Sequence, residues 1–150
     1  MLATAADDQP WIPVYRAVLA LCCADSSDLA GAADAYGHFA ARGFELPADS
    51  NWLLAVAVLA DTCVTLGDAD GAVDLARLLE PWADRQVILN CYGGGGAHWG
   101  PVARHLGRLA LLRHDRCRGE ELLRRAVELS ECFRAPEFAA RSRAELARLG

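Results

Sequence analysis

A chain of 150 residues, 53% of them hydrophobic, is long enough for one domain with a real core. Its longest apolar run, WLLAVAVLA at Trp52–Ala60, falls far short of the roughly 20 residues that span a bilayer, so no membrane partner is expected. A net charge of −5, with no lysine and no recognised reader motif, argues against nucleic acid.

Alanine and leucine dominate and β-branched residues are sparse outside 87–88, which predicts an all-α chain. In chain order, residues 1–9 read as a tail of a single domain covering 1–150. The opening MLATAADDQP has neither a cationic region nor an apolar signal core, so a cytoplasmic location is expected. About seven helices follow, at about 11–25, 28–42, 51–66, 69–80, 98–113, 116–132 and 136–149. Ser26, Ser27 and Asp28 cap the second, and Asp49, Ser50 and Asn51 offer caps for the third. Gly43 and Gly67 stop helices, and Pro136 suits the first turn of the last. That last helix sets Phe138, Ser142, Leu146 and Leu149 on one side and reads as a lid. Trp11 and Trp82 read as gap fillers between helices.

Small residues recur at matched intervals. From the anchors Ala20, Ala60 and Gly107, eight positions on come Asp28, Asp68 and Asp115. Four further come Ala32, Ala72 and Gly119; then Tyr36, Ala76 and Leu123; then Phe39, Leu79 and Ala126. Each unit implies a helix, a turn with a capping aspartate, and an antiparallel return helix whose small residues permit close approach. Stacked hairpins of this kind bury a continuous core and leave a concave face.

The small anchor, the LGD turn at Leu66–Asp68, the alanine after it and Pro81 resemble the tetratricopeptide pattern. Over most of the chain, FELPADSNWLLAVAVLADTCVTLGD, LLEPWADRQV, GGG with GPVARHLG, and RAPEFAARSRAELARL resemble the C-terminal helical repeats of large bacterial regulators. Those regulators join an ATP-binding domain to a LuxR-type DNA-binding domain or a nucleotide cyclase. The resemblance implies a tetratricopeptide-like (TPR-like) antiparallel helix-hairpin solenoid with a groove for sensing or protein interaction. It carries over neither ATPase nor DNA-binding activity. The chain departs from the pattern at His98 and Trp99, at His105, and at the third turn, where His114 replaces the usual glycine and Arg116 an aromatic.

NCYGGGGAHWGPVARHLG, residues 90–107, raises the question of a cofactor loop. No start within Gly93–Gly96 gives GxGxxG, and the lysine and hydroxyl residue of a P-loop are missing. Val87–Leu89 can be extended, but no partner strand is evident. A helix N-terminus after glycines can bind an anion; a tight connector before the fifth helix is the plainer reading. Six cysteines, Cys22, Cys23, Cys63, Cys91, Cys117 and Cys132, contain no CxxC pair and read as small apolar fillers. No metal and no cofactor are expected.

Catalytic candidates are His98, Asp61 and Cys91. Cys91 and His98 would make a thiolate–imidazole pair if they met, and His98 is the simplest proton carrier, its unperturbed pKa lying near 6.5. His98 and His105 stand too far apart along a helix, at about 10 Å of rise, to share one metal ion. Glu45 and Asp49 supply carboxylates without forming a pair with Asp61, which sits in an apolar helix and is either a pocket acid or a satisfied acceptor. Binding candidates are Trp52, Tyr92, His98, Trp99, Arg104 and His105, aromatics giving large contact area at little entropy cost. The leading expectation is a non-enzymatic, regulatory or scaffolding module that holds a protein or peptide in its groove. The alternative is a small-molecule binder or small enzyme with a pocket around Gly93–Gly96, its acid–base chemistry centred on His98. A third is a homo-oligomer, since residues 1–100 carry a charge of −9 and residues 101–150 carry +4.

Overall fold

A computed structural model describes residues 4, 6, 8, 9, 12–91 and 95–150, the side chains of 90, 91 and 95 excepted. Among the described residues, seven α-helices within 13–147 and one two-stranded antiparallel sheet make up most of the regular structure. The helices are α1 (Pro13–Asp25), α2 (Leu29–Ala40), α3 (Trp52–Leu66), α4 (Ala69–Leu79), α5 (Val102–Leu112), α6 (Arg116–Cys132) and α7 (Pro136–Ala147). Between α4 and α5 lie a 3-10 turn at Glu80–Trp82 and the strands β1 (Gln86–Cys91) and β2 (Gly95–Pro101). Of the segment expected as a tail, Thr4, Ala6 and Asp8 are helical and Ala6 is buried; its other residues, apart from Gln9, and Trp11 lie outside the described residues.

The helices pair as the small-residue spacing predicts. α1 packs on α2, α3 on α4 and α5 on α6, while α3 also contacts α1 and α5, and α7 covers α6. Ala20, Ala32, Ala60 and Ala72 are all but inaccessible, and Gly107 and Gly119 are buried. The three capping aspartates do the same local work. Asp28, Asp68 and Asp115 each accept a hydrogen bond from a backbone N–H three residues on, at Gly31, Gly71 and Arg118. Each is preceded by a left-handed residue: Ser27 (φ 63), Gly67 (φ 73) and His114 (φ 62). Only the second is the glycine that such a conformation favours, so Ser27 and His114 hold this turn against a steric cost.

α3 is the centre of the fold. Every residue from Leu54 to Cys63 is buried, and the helix is apolar on nearly all sides because neighbours surround it. Leu59, Leu75, Leu79, Leu106, Leu109 and Leu123 fill the seams. A polar contact ties the first hairpin to the second: the Tyr36 hydroxyl donates to Asp68 Oδ2 at 2.8 Å, from α2 to the cap of α4. Burial, with help from this bond, holds the Tyr36 phenol above its usual range, so it stays a donor. Tyr36→Phe is therefore expected to cost about 1 kcal/mol in chemical denaturation, the net worth of one partly buried hydrogen bond. An unchanged midpoint would mean that the hairpins do not depend on this tie.

The segment 86–101 corrects the sequence reading. The fifth helix does not start near 98 but at Val102, and the connector is a β-hairpin. Val87–Leu89 does find a partner, and the partner is the glycine-containing stretch itself: Leu89 pairs with Ala97, Asn90 with Gly96 and Cys91 with Gly95. Glycine is depleted in strands, which is why GGAHWGP does not look like one. Burial of Val87 against the core and the local pairing outweigh that propensity.

Candidate functional site

The hairpin is irregular at one point, and that point faces the site. Val87 pairs with Gly100 and Ile88 with His98, so Trp99 is the extra residue of a β-bulge. Bulges re-aim a side chain, and Trp99 is left 37% exposed beside a groove. Gly100 follows with φ +102, and a Cβ there would lie 2.7 Å from the Phe138 ring of α7. Glycine is thus required at 100 both by conformation and by the close approach of α7. The His98 ring meets the same Phe138 edge-on at 4.7 Å, and its Nε2–H donates to Gln86 Oε1 at 2.7 Å across the hairpin. Partial burial lowers the His98 pKa, so the ring is mainly neutral at pH 7.

The groove has a volume of about 840 Å³ and crosses one face of the helix stack. Each helix on this face contributes residues one turn apart: Leu21 and Asp25 from α1, Asp61 and Thr65 from α3, Arg104 and Arg108 from α5. His98 and Trp99 form one wall, and Phe138 and Arg141 of α7 another. Its floor is a charge network. Asp61 accepts from Arg108 and from His105 Nδ1–H at 3.1 Å, while Arg104 and Arg108 both reach Glu145 of α7. Burial alone would raise the Asp61 carboxyl, but His105, Arg108 and Arg104 more than offset it and hold the group well below the usual carboxylate range. Asp61 is therefore a fixed anion, engaged from two sides, rather than an available base.

The predicted site residues separate. His98, Trp99, Arg104 and Asp61 come together around the groove. His105 does not line it: at 1% exposure it lies beneath the floor and orients Asp61. Trp52 stands elsewhere, 6.1 Å from Trp82, and the two line a separate apolar hollow with Ala48 and Leu53. Trp82 is 43% exposed and so is a surface residue, not a gap filler, because the 3-10 turn carries it outward. Cys91 is placed only by its backbone, so its pairing with His98 and the position of Tyr92 lie outside the described residues. Cys22, Cys117 and Cys132 are exposed, and only Cys63 is buried among the described cysteines, which corrects their reading as fillers. The sequence reading missed Arg108, Arg134, Phe138 and Arg141. Arg108 had a signal, standing four residues after Arg104 on the same helix face; the α7 residues had none, since their position depends on how that helix docks.

No match was found among family models, curated proteins or solved structures. No described helix is long and apolar enough to cross a membrane, and no described cluster of His, Cys, Asp and Glu could hold a metal ion. The charge asymmetry between the two parts of the chain is partly settled internally, because Arg118 pairs with Glu80 and Arg125 with Asp84.

Proposed function

We propose that the chain is a TPR-like helical-repeat module that binds an extended segment of a protein partner in its groove, in a regulatory or scaffolding role. The observation that carries this reading is the composition of the groove. It is built from the first helix of each hairpin in turn, α1, α3 and α5, as a stacked repeat presents one helix of every unit to its concave side. A half-exposed tryptophan beside arginines supplies the anchor types that dominate protein interfaces. Acid–base catalysis has less support, because His98 Nε2 is engaged by Gln86 and Asp61 by Arg108.

The test is site-specific photocrosslinking of the intact chain in its native cell. A benzophenone side chain at Thr65 or Glu137, both exposed on the groove, is expected to capture the same partner, whereas one at Arg124 on α6 captures none. Trp99→Ala is expected to lower capture at Thr65 about tenfold, the loss of one aromatic anchor. Equal capture at Arg124, or none at the groove positions, would count against the reading.

A further inference from the structure

Resting on that reading, we infer that the groove selects by charge order: its occupant is an extended peptide segment carrying a carboxylate at one end and a guanidinium or amine at the other. The floor charges cancel, since Asp61 and Glu145 neutralise Arg104 and Arg108. What distinguishes the groove is therefore its two banks. On the α7 bank, Arg134 and Arg141 have no carboxylate partner among the described residues, and Glu137 leaves that bank one net positive charge. Arg141 stacks on Phe138 at 5.2 Å, which holds the guanidinium plane and leaves its edge N–H groups to an acceptor. Arg134 sits in a left-handed turn (φ 53) fixed by the Ala135 N–H to Ser130 carbonyl bond, so the backbone beneath it is defined. On the opposite bank Asp25, the last residue of α1, is exposed and has no cationic partner among the described residues. The internally paired Asp61, Glu145, Arg104 and Arg108 lie between these banks, so the field runs from negative over α1 to positive over α7.

This polarity fixes the spacing as well as the sign. α1 packs on α3 and α3 on α5, each step at roughly 8–10 Å between axes. A ligand spanning from α1 to beyond α5 thus covers roughly 20 Å, or about six residues of extended chain. Opposite charges on the occupant at that separation meet both banks, and a uniformly acidic or basic segment meets one bank with the wrong sign. Trp99, on the wall near the α7 bank, takes an apolar or aromatic side chain next to the carboxylate.

The experiment is selection of random 12-residue peptides, displayed on phage, against the intact chain, keeping those whose binding falls in Trp99→Ala. The expected sequences carry Asp or Glu separated by five or more residues from Lys or Arg. Asp25→Lys is expected to weaken these peptides about tenfold and to enrich doubly acidic ones on reselection. The pair Arg134→Glu with Arg141→Glu is expected to enrich doubly basic ones. Peptides that depend on Trp99 but show no separated opposite charges, or that are indifferent to both sets of charge reversals, would overturn the inference while leaving the groove reading standing. No Trp99-dependent peptides at all would remove both.

Discussion

Asp61→Ala is expected to destabilise the fold by about 3 kcal/mol, read as a lower urea midpoint at unchanged slope. Removing one partner of a buried ion pair commonly costs about 3–5 kcal/mol, because the remaining charge is left without its counterpart. The lower end applies here for a structural reason. Arg108 keeps some solvent contact, and Glu145 stands 3.6 Å from its Nε as a substitute. His105 has no such escape, being fully buried with Nδ1 on Asp61. Asp61→Asn retains an acceptor for both neighbours and loses only the charge, so about half the effect is expected.

The same residue sets an acid limb to stability. The folded Asp61 carboxyl is held below its unfolded value of about 3.9, so the folded state favours the ionised form. Its contribution is complete above roughly pH 4 and is lost as pH falls from there through the folded value. The wild-type chain should therefore lose stability on acidification more steeply than Asp61→Asn, and the two curves should converge. Parallel curves would mean that the carboxylate is not the stabilising species.

Much of this fold can be read from residue spacing, and the reason is local chemistry. An aspartate after a small anchor forces a cap, and a cap with an apolar helix on each side forces a hairpin. Asp28, Asp68 and Asp115 thus mark their turns whatever lies further away. The β-hairpin is not readable in this way: Val87 and Ile88 suit a strand, but the partner stretch GGAHWGP does not, and Gly95 and Gly96 pair because Val87 is anchored in the core and returns the chain. The groove is legible in the same partial manner. His98, Trp99, Arg104 and Asp61 stand out as chemically capable residues in bland surroundings, while Phe138 and Arg141 reach the groove only through the docking of α7. That docking rests on Gly100, whose missing side chain lets the Phe138 ring approach. His105 shows the converse: its chemistry invites a ligand, but its place on α5 turns it inward to Asp61.

Gly119→Val is the strongest test of the small-residue seams, with an expected loss of about 3 kcal/mol, at the top of the range for overpacking a core. α5 and α6 approach so closely at Gly107 and Gly119 that a side chain at either position must displace a neighbouring leucine. A Cβ on Gly119 would stand 2.6 Å from Leu111 Cδ2 and 2.7 Å from its Cγ, and one on Gly107 would stand 3.0 Å from Leu123 Cγ and 3.2 Å from the Gly119 carbonyl oxygen. In an open position the same kind of change has the opposite sign. Gly37, in the last turns of α2, has nothing within 4 Å of its Cβ position, and Gly37→Ala should stabilise by about 0.5–1 kcal/mol through helix propensity alone. Gly119→Ala gains the same propensity but meets Leu111, so it should fall between the two. If the clash with Leu111 is the cause, Leu111→Ala should recover part of the stability lost in Gly119→Val, a coupling that a double-mutant cycle measures directly. Additive losses in that cycle would place the damage elsewhere than in this seam, and a Gly119→Val chain as stable as the wild type would show that α5 and α6 do not meet there.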